Sequence, residues 1–485
     1  MSFAAVDSSA TQVPVLDAVK ALAFVGDLSM GQPIDHSVRT AWLAAQLAEA
    51  IGVDRQVRTY AVCVALLRWS GCTANAPEFA ELLGDDVGGR RAMMVTGLPA
   101  HLVGHMGTVA QIHCEVSGDV ARTLGLPQAV EHALRCIFER LDGGGQPRAL
   151  IGSDVPVEVQ LVQTAGLLEI HSRVFGLEQA RVALEAMAGR LFPPDWLPGL
   201  RGGSVEWLHR LEQDPACVDG LALTLAAPSS AAPLELLADV IDLKLPWMTG
   251  YSRRVAATAV QAAVRLGLAS PQRHCIHRAA LIHGLGRASV PNEIWNHRAP
   301  HSEAAMERLR LVPYWTSRAA RRIGNLAQEA NLASYTEERL DGSGAFRGAS
   351  GDAIGIEGRV LAAAAHWQML QTSRPGQIGL SERQATLQMR EEADRGRFDT
   401  QVVAAITRNP GPPAPSSRAA TPELLSTREV EVLRRISLGE SNKEAARTLG
   451  ISPSTVRTHV ENIFRKLGCT TRAAATLKAL TAGLL

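Results

Sequence analysis

An internal repeat constrains the fold of this chain more than any other feature of its sequence. At a constant offset of 215, the block that begins at Asp27-Leu28 aligns with the block that begins at Asp242-Leu243, without a gap over roughly 45 residues. Further on, at an offset of 199, E-R-L-D-G-G-G (139–145) aligns with E-R-L-D-G-S-G (338–344). Two matching blocks in the same order predict a duplicated domain, because chance rarely produces both.

Helical periodicity dominates both copies of the repeat. Residues 38–51 and 254–266 carry apolar groups at positions i, i+3, i+4 and i+7, and period-two alternation is rare. Aromatic residues make up only 4% of the chain, which also favours helices over sheets. We therefore predict an all-α protein with one helical domain at 14–200, a second at 230–408, and D-G-x-G as an exposed, glycine-dependent loop in each.

The composition of the remaining sequence predicts a linker and a basic C-terminal domain. Residues 409–421 (N-P-G-P-P-A-P-S-S-R-A-A-T) have the proline and serine content of a stiff, solvated linker. From 422 to 485 there are ten Lys or Arg against six Asp or Glu, a net of +4 in a chain whose total is only +1. This concentration of positive charge predicts a polyanion as partner of the C-terminal domain.

Targeting signals and cysteine pairs are missing from the sequence. No basic segment followed by an apolar core opens the chain, and no stretch of about 18 apolar residues is long enough to span a membrane. The seven cysteines form no C-x-x-C pair, which is typical of reduced thiols. We therefore expect a cytoplasmic protein that does not contact a membrane.

Capping signals divide residues 422–485 into short helices. Ser426 with Glu429, and Ser441 with Glu444, fit capping boxes, and Ser452-Pro453 is typical of a third helix start. Val430, Leu433 and Ile436 are expected on the buried face of the first helix; the third buries four residues, Val456, Val460, Ile463 and Leu467.

The opposite face of the third helix carries the predicted DNA contacts. Its donors and acceptors suit base edges and phosphates in a major groove. These candidates, with a backbone-contacting lysine from the second helix, are Lys443, Ser454, Thr455, Arg457, Thr458, Glu461, Asn462, Arg465 and Lys466. A charged face on a protein–protein module is the alternative interpretation.

Residues 424–485 resemble the LuxR/NarL family of helix-turn-helix domains. The matching motifs are L-S-T-R-E-V-E-V-L and S-N-K-E-A-A-R-T-L-G-I-S-P-S-T-V-R-T-H-V-E-N-I-F-R-K-L-G. The resemblance implies a four-helix domain whose third helix reads promoter DNA and whose fourth helix, at about 471–482, pairs two copies into a homodimer. Glu461 departs from the family, where many members carry a basic or neutral residue.

The repeats resemble the HD-GYP family, helical phosphohydrolases that cleave cyclic di-GMP at a cluster of two or three metals. In the second repeat the matching motifs are H-R-A-A-L-I-H-G-L-G-R-A-S-V-P-N-E-I-W (277–295), E-R-L-D-G-S-G-A-F-R-G (338–348) and R-V-L-A-A-A-A-H-W-Q-M-L-Q-T-S-R-P (359–375). The first repeat is similar through His36-Ser37, A-L-L-R-W-S-G (65–71) and E-R-L-D-G-G-G-Q-P-R (139–148). The resemblance implies tandem HD-GYP-like domains.

Most of the metal ligands that this resemblance implies are replaced. The early His is kept as His36 but is Tyr251 in the second repeat, and the His-Asp pair is Arg68-Trp69 in the first and His283-Gly284 in the second. The later positions are replaced in both copies: the paired His by Ile137-Phe138 and Thr336-Glu337, and the late Asp by Gly166 and Ala365. Since a stable site usually needs three or more ligands, we expect no metal, no cofactor and no catalytic residue. His36 and His283 are then vestigial, hydrogen-bonded core histidines, with His113-Cys114-Glu115 as an alternative ligand group.

These patterns lead to three hypotheses for function. The first is a transcription regulator that is not an enzyme, in which two degenerate domains sense a ligand or dimerise. A small anionic effector is then an expected partner, with Arg39, Arg140, Arg254 and Arg339 as candidate contacts, or else as salt-bridged surface groups. The second hypothesis is a phosphohydrolase of a cyclic dinucleotide or another phosphate ester, fused to a DNA-binding domain. The third is a scaffold for dimerisation and partner docking.

Overall fold

The computed structural model describes residues 11–221, 231–297, 300–408 and 424–485, and the regular secondary structure of these residues is almost entirely helical. The predicted all-α class is confirmed. Two strands of three residues, β1 (Gln12–Pro14) and β2 (Ala231–Pro233), form the only sheet within the described ranges. The predicted linker at 409–421 lies outside the described residues. No helix in the described ranges is both long and apolar enough to cross a membrane.

The chain divides into two compact units. One unit comprises the described parts of 14–232 together with 291–293, and the described parts of 11–13, 233–290 and 294–485 form the other. The second unit therefore contains both the second repeat and the C-terminal helices. The predicted domain limits 14–200, 230–408 and 422–485 remain predictions.

The first repeat is a bundle built around one central helix. Its α-helices are α1 (Val15–Ser29), α2 (His36–Ala50), α3 (Arg55–Leu67), α4 (Ala76–Leu83), α5 (Asp86–Thr96), α6 (Met106–Thr123), α7 (Gln128–Arg135), α8 (Val157–Phe175), α9 (Leu177–Met187) and α10 (Leu197–Gln213). Helix α2 packs against α3 and α8, which also contact each other. Helix α10 crosses the predicted boundary at 200 and packs against α2, so the bundle includes it.

The second repeat packs in the same way. Its α-helices are α11 (Leu234–Asp242), α12 (Tyr251–Arg265), α13 (Ser270–Ile282), α14 (Asn292–Asn296), α15 (Glu303–Arg310), α16 (Val312–Ala320), α17 (Ala327–Ala333), α18 (Ile356–Gln371), α19 (Glu382–Asp394) and α20 (Thr400–Thr407). Helix α12 takes the place of α2, and it packs against α13 and α18. The residues that the sequence aligns therefore occupy equivalent helices.

A buried glutamate fixes the D-G-x-G loop in each repeat. Glu139 accepts hydrogen bonds from the backbone N–H groups of Arg148 and Leu150, and Glu338 accepts them from Arg347 and Ala349. A Cβ added at Gly145 would lie only 2.4 Å from the Glu139 Cα atom. The loop needs glycine here because its backbone passes directly over the segment that carries the glutamate.

The C-terminal helices are α21 (Thr427–Ser437), α22 (Asn442–Leu449), α23 (Pro453–Leu467) and α24 (Arg472–Thr481). Both predicted capping boxes are present, because Ser426 and Glu429, and likewise Ser441 and Glu444, exchange hydrogen bonds. Helix α22 ends at Gly450, which adopts the left-handed conformation with φ of +65°. The prediction that Val430 lies in the core of α21 is wrong: Val430 is only half-buried, and Val432 is fully buried with Leu433 and Ile436.

Candidate functional site

Helix α23 presents a polar surface to solvent. Val456, Val460 and Ile463 are buried on one side of the helix. The exposed candidates on the other side are Ser454, Thr455, Arg457, Thr458, Glu461, Arg465 and Lys466, with Lys443 exposed on α22 and Asn462 half-buried. The structure thus brings the predicted DNA contacts together on one accessible surface, which we call the α23 polar face.

Two cations of this set already have carboxylate partners. The Arg457 Nε atom lies 2.9 Å from the Glu461 Oε1 atom one turn away, and both side chains are largely exposed. Exposed pairs of this kind contribute little to stability, so Arg457 can exchange this partner for a phosphate. The Lys466 Nζ atom lies 2.7 Å from the Oε2 atom of Glu429, the glutamate of the first capping box. Lys466 therefore also ties α23 to α21.

A buried guanidinium group lies at the centre of the first repeat. His36 is fully buried, and its Nε2 atom contacts the Arg68 Nη2 atom while its Nδ1 atom lies 2.5 Å from Glu169 Oε2. Because a guanidinium can only donate hydrogen bonds, His36 Nε2 must be the acceptor, and Nδ1–H donates to Glu169. Burial, followed by the Arg68 charge, lowers the pKa of His36 to about 4, so the imidazole is neutral at pH 7.

Neighbouring residues make room for Arg68. A Cβ added at Gly166 would lie 3.0 Å from the Arg68 Nη1 atom. Trp69, which replaces the expected carboxylate, belongs to an aromatic cluster with His113 and Phe138, with ring centroids 4.8 to 6.3 Å apart. Burial lowers the pKa of Arg68 to about 10, with Asp27 and Glu169 opposing this shift, so the guanidinium remains charged at neutral pH.

The second repeat has the same contact built from a different arginine. The Arg287 Nη2 atom lies 2.7 Å from the His283 Nε2 atom, and His283 Nδ1–H donates to the Ala280 carbonyl oxygen over 2.6 Å. Arg287 also lies 3.2 Å from the Asp242 carboxylate and stacks over the Tyr251 ring at 4.9 Å. The Tyr251 hydroxyl donates to the Ala365 carbonyl oxygen, so the replaced early His and late Asp positions contact each other.

Neither centre fits the metal cluster that the HD-GYP resemblance implies. Among the described residues, no three His, Cys, Asp or Glu side chains lie close enough together to hold a metal ion. At each centre the Nε2 atom of the remaining histidine already accepts a hydrogen bond from a guanidinium. The positive charge of that guanidinium repels a metal cation. His113 is occupied as well, because its Nε2–H donates to the Arg68 carbonyl oxygen over 2.7 Å. We therefore assign no step to a metal.

The four arginines proposed as effector contacts fall into two groups. Arg39 pairs with Glu169 and Glu212, and Arg140 pairs with Asp142, as the salt-bridge alternative expected. Arg254 instead donates to the Thr249 carbonyl oxygen, and Arg339 donates to the carbonyl oxygens of Thr336 and Glu338. Within the described ranges no ion pair is found for Arg254 or Arg339, so the salt-bridge alternative does not describe these two arginines.

Sequence reasoning missed two buried aspartates that organise the centres. Asp27 accepts hydrogen bonds from the backbone N–H and hydroxyl of Ser37, and Asp242 accepts the same pair from Ser252. Burial raises the pKa of Asp27 to about 7 and that of Asp242 to about 6. Their recurrence at the same offset of 215 was the available signal. Glu169, which binds His36, has no such signal because the two residues are 133 positions apart.

Comparison with known proteins identifies two regions of the chain. Residues 235–402 match the family model described as HD domain, and 423–479 match the model for bacterial regulatory proteins of the luxR family. The chain therefore contains an HD domain and a LuxR-type domain, which confirms the resemblances of the second repeat and of the C-terminal region at this level. The NarL transcriptional regulatory protein of Mycobacterium tuberculosis is 48% identical over 62 residues, which are 13% of this chain and 29% of that protein.

Phosphodiesterases align with the larger part of the chain. The 3'3'-cGAMP-specific phosphodiesterase 3 of Vibrio cholerae is 23% identical over 440 residues, covering 81% of this chain and 94% of that protein. A crystal structure of a cyclic GMP-AMP specific phosphodiesterase from V. cholerae has a TM-score of 0.56 at 20% identity and covers 83% of this chain and 99% of that one. The latter likeness shows that the two proteins share a fold.

These relatives overturn one expectation from the sequence. The prediction that the chain is not an enzyme is wrong, because a relative that aligns with 81% of the chain, including the HD domain, is a phosphodiesterase, which points to enzymatic activity. Loss of most metal-ligand positions was the basis of that prediction. The missing ligands concern only a few positions at the two centres. The alignment with the phosphodiesterase extends over most of the chain.

We expect Arg68→Met to destabilise the first repeat strongly. The substitution removes a buried guanidinium that donates hydrogen bonds to His36 and Thr40. The positive charge that balances Asp27 and Glu169 is lost with it. Breaking a buried charged network costs about 3–5 kcal/mol of unfolding free energy, which urea denaturation measures. Arg122→Met is the matched control, since Arg122 is half-exposed beside Glu131 and its loss should cost less than about 1 kcal/mol. Equal losses for the two variants would refute this role of Arg68.

The raised pKa of Asp27 predicts a pH-dependent effect of Asp27→Asn. Between its ordinary value of 3.8 and about 7, the folded protein binds a proton that the unfolded chain has released. This contribution to stability is therefore lost as the pH rises, by at most about 1.4 kcal/mol per pH unit. The unfolding free energy of Asp27→Asn minus that of the wild type should accordingly increase from pH 4 to pH 7. Asp195→Asn, at an exposed position, should show a flat difference; a flat line for Asp27→Asn would contradict the prediction.

Proposed function

We propose that this protein is a transcription regulator in which the HD region binds a cyclic dinucleotide and the LuxR-type domain binds promoter DNA. The observation that carries the DNA-binding part is the accessible α23 polar face, which lies on a domain matching the luxR family. Exposed donors and acceptors on one side of a helix suit the major groove, and the net positive charge of this domain favours a phosphate backbone. A homodimer on two half-sites is the arrangement that we expect.

The ligand part of the proposal rests on the relatives and on charge. The phosphodiesterases named above are specific for cyclic GMP-AMP (cGAMP), a dinucleotide that carries two negative charges. In the second repeat, Arg254 and Arg339 donate only to neutral partners, and Arg254 is one turn from Tyr251 on α12. A phosphate would give these guanidinium groups a stronger, charge-assisted hydrogen bond than a carbonyl oxygen does. We therefore place the dinucleotide at the second repeat.

Hydrolysis of the dinucleotide is the second candidate function, favoured by the activity of the phosphodiesterase relatives. A regulator that hydrolyses its own effector would end its response without a separate enzyme. The two candidates share a binding step and differ in turnover. They are therefore separated by following the nucleotide after it has bound.

Substituting Arg457 should weaken DNA binding and reduce its dependence on salt. Arg457→Ala removes one exposed cation from the α23 polar face, and we expect about tenfold weaker binding with a salt slope smaller by about 1. The measurement is a fluorescence-anisotropy titration of promoter fragments, first selected by genome-wide mapping, at several salt concentrations. Arg395→Ala removes a similarly exposed charge from the residue that follows α19 and should leave binding unchanged. If both variants bind like the wild type, α23 is not the DNA contact.

Titration with 3'3'-cGAMP tests the ligand part. We expect calorimetry on the full chain to show saturable binding that Arg254→Gln weakens about tenfold, the usual effect of losing one charge-assisted hydrogen bond. Arg140→Gln, whose guanidinium pairs with Asp142 in the first repeat, should bind normally. Chromatography of the same samples, with and without added Mn²⁺, would reveal linear product if the second candidate is right. Absence of both heat and product would overturn the ligand part.

A further inference from the structure

A loop of the second repeat contacts the DNA-binding domain. We call residues 243–250, between α11 and α12, the docking loop. Its Thr249 hydroxyl donates to the Ser437 carbonyl oxygen at the end of α21 over 2.7 Å, and both residues are buried. Pro246 lies against Gly439, where an added Cβ would come within 3.0 Å of the Pro246 Cβ atom. The left-handed turn at Gly439, with φ of +87°, therefore fits closely onto the proline ring.

Helix α24 has no free face in this arrangement. Its buried residues point in all directions around the helix axis: Ala474, Ala475, Thr476, Leu477, Ala479 and Leu480. Helix α21 covers one side and α11 of the HD domain packs against another. A helix that is buried all round has its apolar surface fully occupied. The α23 polar face remains exposed at the same time, so docking covers α24 and leaves the DNA-reading residues accessible.

The docking loop is anchored at both ends in the centre of the second repeat. At its start Asp242 contacts Arg287, and at its end Tyr251 lies under the same guanidinium. Ser252, next along α12, donates to Asp242 and ties the two ends together. Arg254, one turn further along α12, donates to the carbonyl oxygen of Thr249, whose hydroxyl donates to α21. The same residue thus connects the centre to the DNA-binding domain.

We infer that the docking loop makes the position of α24 depend on what occupies the second repeat. This inference rests on the proposed function for its ligand, a dianionic dinucleotide. A phosphate that recruits Arg254 removes the hydrogen bond to the Thr249 carbonyl oxygen and loosens the loop. Release of the loop uncovers α24, which then exposes Leu480 and its neighbours to water. Exposed apolar surface of this kind is buried by association, and a second copy of the chain supplies the matching helix. Regulation therefore acts on pairing of the DNA-binding domains.

Amide hydrogen exchange of the full chain tests the docking contact. Thr249→Val keeps the shape of the side chain but removes its donor. Loss of one buried hydrogen bond should speed exchange in α24 and in the docking loop by about fivefold. Thr407→Val is the matched control, because the Thr407 hydroxyl donates only to Val403 within α20. Sedimentation velocity should show that Thr249→Val dimerises at lower concentration than either the wild type or the control.

The outcomes separate this inference from the proposed function. The comparison of Thr249→Val with wild type uses no ligand, so unchanged exchange in both segments would overturn the docking contact whatever the effector is. Adding 3'3'-cGAMP to the wild type should speed exchange in the same segments, and should add little in Thr249→Val. A second outcome is that Thr249→Val exchanges faster than the wild type while 3'3'-cGAMP leaves exchange in the wild type unchanged because it does not bind. In that case the docking contact is supported and the ligand part of the proposed function fails. If the nucleotide binds without changing exchange in α24, the link between the centre and the loop is refuted.

Discussion

The contact between an arginine guanidinium and a neutral imidazole organises the centre of each repeat. Arg68 and Arg287 each donate to the Nε2 atom of the remaining histidine. A buried cation of this kind is stable only if nearby groups accept its hydrogen bonds and balance its charge. This requirement accounts for the direction in which each Nδ1–H points and for Asp27 and Asp242 beside the arginines. Burial, followed by the charge of the neighbouring arginine, lowers the pKa of both histidines. The central helices of the two bundles begin at these centres, with His36 on α2 and Tyr251 on α12.

Local signals in the sequence predicted local structure well. The capping boxes at Ser426 and Ser441, the turn at Gly450 and the exposed side of α23 follow from residues within a few positions of one another. The exception, Val432 in place of Val430 in the core of α21, reflects a choice between two apolar residues that only tertiary packing decides. The all-α class and the duplication also followed from periodicity and alignment, because both are properties of long stretches.

The centres were harder to predict because their contacts join distant parts of the chain. Loss of metal ligands was readable from the sequence, but the residues that fill the space were not. His36 meets Glu169 across 133 positions, and Gly166 is explained only by the guanidinium beside it. The wrong prediction about enzymatic activity has a related cause, since it judged the whole chain from a few side chains. The alignment with a phosphodiesterase extends over 81% of the chain, far beyond the few ligand positions on which that prediction rested.

The two arginines do not occupy equivalent positions in the repeat. At the offset of 215, Arg68 corresponds to His283, whereas Arg287 corresponds to Cys72. The two halves therefore build the same guanidinium–imidazole contact from different positions of the repeat. Aligned residues alone do not reveal that the two centres share this contact, because only the folded chain brings each arginine to its histidine.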